Sequence, residues 1–299
     1  MHSAKCTKAP MFEQIAQTIP YQQITVEGLN ISIKRLDLVH PQISGNKFFK
    51  LKYNLLAAQQ QGCKKLLTFG GAYSNHIAAT AYAAQLFGFE SLGIIRGEEL
   101  ANKPLNATLN TAQQFAMQLQ FVTREAYRQK QSAEYLAQLQ LDYPDYYVIP
   151  EGGTNALAIQ GCTEILSDAD RQNYDLICCA VGTGGTITGL IEASAVHQQI
   201  IGFSALKGDF LTAEIQQLTQ KRNWHITDQY CCGGYAKTTP ELLQFIRRFE
   251  QQYDIPLEQI YTGKMLFGLS DLIQHGTFPL DHRILVIHSG GLQGRLAAL

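Results

Sequence analysis

Apolar residues in this chain fall into short unbroken runs separated by segments with helical spacing. Leu66-Leu67-Thr68-Phe69, Leu92-Gly93-Ile94-Ile95, Leu119-Gln120-Phe121-Val122 and Tyr146-Tyr147-Val148-Ile149 have the length and bounding of buried strands. Between them, residues 49–61 and 74–87 read as helices that stop at Gly62 and Gly88, where glycine takes the left-handed turn that closes a helix. Strand and helix in alternation predict a parallel sheet. A second series follows: Leu176-Ile177-Cys178-Cys179-Ala180-Val181, Ile200-Ile201-Gly202-Phe203-Ser204, Trp224-His225-Ile226-Thr227 and Ile284-Leu285-Val286-Ile287-His288. The early run Ile31-Ser32-Ile33-Lys34-Arg35 is expected to join this second sheet. The pattern predicts an α/β protein of two parallel-sheet, three-layer domains. Residues 50–150 form the smaller, and residues 1–49 with 151–299 the larger. A ligand is expected in the crevice beyond the carboxyl ends of the strands.

Composition narrows the partners. The chain has 299 residues, 45% of them apolar, enough for a sizeable core. Its 24 basic and 25 acidic residues leave a net charge of -1, so nothing marks a nucleic-acid or anionic-membrane footprint. Met1-His2-Ser3-Ala4-Lys5-Cys6 has no apolar run behind its charge, and no stretch approaches the ~20 apolar residues that span a bilayer. Seven cysteines, with Cys178-Cys179 and Cys231-Cys232 adjacent, suit neither a disulfide framework nor a zinc site. A cytoplasmic protein with reduced thiols, acting on a small molecule and using no metal, is the expectation. The glutamine runs at Gln59-Gln60-Gln61 and Gln251-Gln252 read as solvated helix faces.

Gly182-Thr183-Gly184-Gly185-Thr186 follows a predicted strand and precedes a helix over 187–195. Glycines let backbone N–H groups approach an anion, the helix N-terminus adds partial positive charge, and the threonine hydroxyls can donate. No lysine follows as in a nucleoside-triphosphate loop, and the dinucleotide pattern fails at Ile187. A tight turn without ligand is the competing reading of this motif alone.

Lys47, after Ser44-Gly45-Asn46 and at the mouth of a predicted helix, forms an imine if burial lowers its pKa. Alone, it reads as an exposed surface lysine. Gly70-Gly71-Ala72-Tyr73-Ser74-Asn75 opens another helix. Ser74 there is either a plain helix cap or, with the exposed N–H groups, a seat for a substrate carboxylate. The amide of Asn75 can bond a phenolic oxygen. His76 suits a pocket wall or a core equally. A reactive lysine together with a phosphate cradle points to a cofactor carrying an aldehyde and a phosphate, pyridoxal 5'-phosphate (PLP).

From about Ile31 to Gly291, five motifs in this order resemble the 1-aminocyclopropane-1-carboxylate (ACC) deaminase and D-cysteine desulfhydrase family. That family lies within the tryptophan-synthase-β-like fold type (fold type II) of PLP enzymes. The resemblance implies that Lys47, after Asn46, is the Schiff-base lysine, with Lys50 as a second lysine. It implies that Ser74 binds substrate and acts in catalysis, and that Asn75 stands near the cofactor's O3′. Tyr235 in Gly233-Gly234-Tyr235 and Tyr261 in Ile260-Tyr261-Thr262-Gly263-Lys264 match the active-site tyrosines, and His288-Ser289-Gly290-Gly291 matches a C-terminal His-x-Gly-Gly. A homodimer is also implied.

The catalytic set expected is therefore Lys47, Ser74, Tyr235 and Tyr261. Cofactor contacts are expected from Asn46, Lys47, Lys50, Asn75, Gly182, Thr183, Gly184, Gly185, Thr186, Thr262 and Ser289, and substrate contacts from Ser74, Asn75 and His76. Family members that open the cyclopropane ring typically carry Glu after the second tyrosine and Leu in His-x-Gly-Gly; D-cysteine desulfhydrases carry small hydroxyl residues at both. This chain has Thr262 and Ser289, which favours D-cysteine. ACC deaminase is the alternative, and a ligand-binding protein without turnover is a further one. The loop 39–45 is shorter than usual, Ser44 stands where Gly is common, and Phe48-Phe49 replaces a frequent Thr-Arg pair, so a different pocket entrance is expected. Relatives commonly carry more residues after Gly294-Arg295.

Overall fold

The computed structural model describes residues 12–297 and 299; the N-terminal residues read above, Cys6 included, lie outside the described residues. Its strands are β1 Tyr21–Val26, β2 Leu29–Arg35, β3 Lys65–Gly70, β4 Glu90–Arg96, β5 Gln118–Val122, β6 Tyr146–Ile149, β7 Leu176–Val181, β8 Gln199–Ser204, β9 Trp224–Thr227 and β10 Ile284–His288. They form two sheets, one of order β1-β2-β10-β7-β8-β9 and one of order β5-β4-β3-β6. All pairings are parallel except β1 with β2. Every side chain of β7 and β10 is buried, as sheets covered on both faces require. In β1 only Ile24 is buried, so this antiparallel edge left no apolar run to read in the sequence.

The adjacent pair Cys178-Cys179 is a consequence of strand alternation. Cys179 enters the apolar cluster on one face of the large sheet and Cys178 the cluster on the other, since successive side chains point to opposite faces. The six described cysteines are free thiols. No described helix is long and apolar enough to cross a membrane.

Four helices position the site: Asn46–Gln60, Asn75–Phe87, Gly185–Ala193 and Thr262–Gln274. The first begins at Asn46 rather than at residue 49, so Lys47 stands in its first turn. Gly45, at φ 66°, breaks the chain before it, and the Asn46 N–H donates to the Ser289 carbonyl at 3.2 Å. A Cβ at Gly45 falls 1.8 Å from that same carbonyl oxygen, so only glycine fits. Leu51 and Leu55 of this helix share one apolar cluster with Leu66 and Ile149 of the small sheet and Ile177 and Leu285 of the large one. The boundary expected between residues 49 and 50 thus falls inside a helix packed on both sides. The Gly185–Ala193 helix likewise starts and ends two residues before the range 187–195 read from the sequence.

Candidate active site

Strand ends from both sheets open on one cavity of about 200 Å³, lined among others by Lys47, Lys50, Ser74, Asn75, Gly182 and Tyr261. The turn 182–186 forms one wall. Gly184, at φ 78°, precedes the Gly185–Ala193 helix without any side-chain cap. The N–H groups of Gly185, Thr186 and Ile187 have no acceptor among the described residues. Uncapped amides with the helix dipole behind them make an anion seat. Lys50 Nζ points into the same place, donating to Gly152 O and Thr154 Oγ1, each at 2.9 Å, and to Thr183 Oγ1 at 3.3 Å. A Cβ on Gly185 would lie 3.0 Å from Lys50 Nζ and 2.9 Å from Thr154 Oγ1, so the glycine leaves the room an anion needs. Of the two threonine hydroxyls expected to donate, that of Thr186 is held by Asn46 and keeps its own O–H. It accepts from Asn46 Nδ2 at 2.7 Å and is almost fully buried.

Lys47 Nζ opposes this wall, donating to Asn46 Oδ1 at 3.1 Å. Burial, and then the charge of Lys50, lower its pKa to about 7; burial lowers that of Lys50 to about 8. An amine near its pKa at neutral pH exposes the lone pair that attacks an aldehyde. Lys50 keeps more of its charge beside the anion seat. The residues present therefore fit a group with a phosphate at one end and an aldehyde at the other.

Ser74 is the N-cap of the Asn75–Phe87 helix, its hydroxyl accepting from Ile77 N–H at a long 3.4 Å. The N–H groups of Asn75 and His76 have no acceptor among the described residues, so capping leaves a carboxylate seat open. Asn75 Oδ1 accepts from Gln293 Nε2 at 3.0 Å, which turns its Nδ2 toward Gly291. A Cβ there would sit 2.3 Å away. His76 is buried, with Nε2 2.8 Å from Thr68 Oγ1. Since Thr68 donates to Ile149 O, the histidine is the donor. Burial and the two lysine charges push its pKa well below the ordinary value, so it is neutral.

Tyr235 and Tyr261 meet edge to face, ring centroids 6.1 Å apart. Tyr261 also covers Gly182, where a Cβ would approach its ring to 3.1 Å. Burial raises both pKa values, so both hydroxyls stay protonated. Thr262, read from its place in the sequence as a contact to the cofactor ring, is not brought to the cavity wall. It is fully buried and its hydroxyl donates to Glu258 Oε1 at 3.0 Å. Ser289 does line the cavity.

Several residues that position this site carry no signal a motif reading uses. Glu258 accepts from the N–H groups of Ile260, Tyr261 and Thr262 and so fixes the start of the Tyr261 helix. Lys264, the fourth residue of Tyr261-Thr262-Gly263-Lys264, is buried and donates to Cys231 O at 2.7 Å and Gly234 O at 2.8 Å. It thereby ties the Tyr235 loop to the same helix. Glu151, lining the cavity, accepts from Tyr127 at 2.7 Å and pairs with Lys130 at 3.1 Å. Arg96, at the carboxyl end of β4, lines it as well.

Residues 16–290 match the family described as "Pyridoxal-phosphate dependent enzyme". The chain is 30% identical to a Pyrococcus horikoshii protein named "Putative 1-aminocyclopropane-1-carboxylate deaminase", over 97% of this chain and 94% of that one. It is 28% identical to the Arabidopsis thaliana "Bifunctional D-cysteine desulfhydrase/1-aminocyclopropane-1-carboxylate deaminase, mitochondrial", over 89% and 73%. A solved structure titled "Crystal Structure Analysis of the ACC deaminase homologue" superposes with a TM-score of 0.81 at 28% identity, covering 96% of this chain and 93% of that one.

Proposed function

The chain belongs to the pyridoxal-phosphate dependent enzyme family, and on that premise we propose that it is a lyase of small amino acids whose substrate is D-cysteine. The observation that carries the reading is that Lys47, its pKa lowered by burial to about 7, and the turn that leads to the uncapped amides of 185–187 line one cavity. Asn46, Asn75, Thr183 and Ser289 complete the cofactor's surroundings, with Lys50 and the 182–186 turn on its phosphate.

Bound PLP supplies an electron sink for the pair released when the Cα–H bond of an amino acid breaks. Lys47 takes that proton at Nζ, a role its lowered pKa suits at neutral pH. The N–H groups of Asn75 and His76, with Ser74, hold the α-carboxylate, and neutral His76 adds no competing charge. Tyr235 and Tyr261, kept protonated by burial, donate hydrogen bonds to the departing sulfur. Loss of sulfide then leaves a product that hydrolyses to pyruvate and ammonia.

Two features support D-cysteine over ACC. Ser289, which lines the cavity, stands where ring-opening relatives typically carry Leu, and position 262 carries no carboxylate. The one carboxylate among the described residues lining the cavity, Glu151, is occupied by Tyr127 and Lys130. The names of the relatives favour ACC as the second reading. Purified protein given each substrate decides between them. Pyruvate and sulfide from D-cysteine are expected; an α-keto acid from ACC with none from D-cysteine overturns the reading.

A further inference from the structure

Beside the PLP cavity lies a second one of about 380 Å³, joined to it through shared walls at Gly71, Arg96 and Tyr235. Its charged lining is wholly basic, from Arg96, Lys103 and Arg124, with no carboxylate among the described residues that line it. Arg124 is neutralised from outside by Glu99. Lys103 is exposed. Arg96 differs from both, because it stands at the junction of the two chambers.

The guanidinium of Arg96 makes no hydrogen bond or ion pair with any described residue. By contrast, Arg35, Arg124, Arg171, Arg283 and Arg295 each meet a carboxylate. Its neighbours among the described residues are soft. It lies 5.9 Å from the centroid of the Tyr127 ring, and a Cβ at Gly71 would be 3.5 Å from its Nη2. The one carboxylate among the described residues lining the cavity, Glu151, is spent on Tyr127 and Lys130. Five N–H donors in a fixed fork are thus left to face the cavity. On the reading above, the α-carboxylate is seated by the amides of Asn75 and His76, at the start of another element.

We propose that Arg96 is the specificity-determining residue of this site, selecting amino acids whose side chain ends in an anion, the thiolate of cysteine among them. The inference rests on the reading of the cavity as an amino-acid site. A side chain pointing from that seat toward Tyr235 meets the guanidinium at the throat. An arginine left without a partner is worth most where its ligand displaces water from a shielded wall. Neutral side chains of equal size leave its donors unpaired.

The test uses PLP-loaded protein and the change in its visible absorption on titration with aspartate and asparagine. These are isosteric, differ in one charge and carry no leaving group. Both enantiomers of each are measured, so the result does not depend on whether D-cysteine is turned over. Aspartate is expected to bind about tenfold or more tighter than asparagine. Arg96→Gln is expected to abolish the preference by weakening aspartate alone, and Arg96→Lys to restore part of it. Unchanged absorption of the cofactor in Arg96→Gln checks that the site is intact. Equal affinity for the two ligands in the unaltered protein overturns the proposal. So does equal weakening of both in Arg96→Gln, which would put the guanidinium on the α-carboxylate.

Discussion

At the scale of single residues, the chemistry turns on how burial divides two lysines three positions apart. Lys47 is lowered to about 7 and Lys50 to about 8, the first partly because of the charge on the second. The rate at which the cofactor-free protein captures PLP covalently is therefore expected to rise from pH 6 to 8 and then level, as followed by absorption after mixing. Lys50→Met removes that neighbouring charge, so the profile moves to higher pH while PLP binds more weakly. Stability follows the same sign. Both folded pKa values lie below the ordinary lysine value of 10.5, so above pH 7 the folded protein sheds protons that the unfolded chain keeps. The cost of burying these charges is full below pH 7 and fades as pH rises toward 10. The cofactor-free protein is thus expected to melt at a higher temperature at pH 9 than at pH 7, and Lys47→Met to flatten the difference. An unchanged melting temperature across that window in the unaltered protein would contradict the lowered pKa values.

At the scale of elements, one helix start organises both tyrosines. Glu258 gathers three N–H groups and the Thr262 hydroxyl beneath Tyr261, and Lys264 on the next turn holds the carbonyls of the Tyr235 loop. In Glu258→Gln an NH2 group faces N–H donors that previously met a carboxylate. Loss of about 2–4 kcal/mol by denaturant unfolding is expected, with kcat falling more than KM rises because Tyr261 loses its placement. Gly45→Ala, which meets both the Ser289 carbonyl and a positive φ, is expected to cost ~2 kcal/mol or more. Neither Glu258 nor Lys264 was legible as part of the site, because a polar residue working on backbone groups from within leaves no spacing to read. The strands were legible where both faces are buried, as in β7 and β10. β1 was not, since this solvated edge buries only one residue in six and spaces its apolar ones apart. The start of the Lys47 helix was misplaced for a related reason. Asn46 and Lys47 face the cavity rather than the core, so the apolar pattern begins after them.

At the scale of the molecule, two parallel sheets present carboxyl ends to one cleft. β3, β4 and β6 bring Gly71, Arg96 and Glu151; β7 and β10 bring the 182–186 turn and Ser289. Lys47, Ser74 and Asn75 were legible because each sits where a helix start meets glycine, Tyr235 and Tyr261 only through the family resemblance, and the structure gathers all five residues at that cleft. Thr262, read beside Tyr261 as a contact to the cofactor ring, turns its hydroxyl onto Glu258 at the helix start and is not among the residues lining the cavity. Arg96 was invisible because its significance lies in what it fails to contact. The whole arrangement requires that a single small molecule bridge Lys47 and the uncapped amides. Borohydride reduction of the PLP-loaded protein, followed by peptide mapping of the label, tests this most directly. The label is predicted on Lys47, with the yellow absorption bleached. A label on another lysine, or none on protein that still holds PLP, would contradict it.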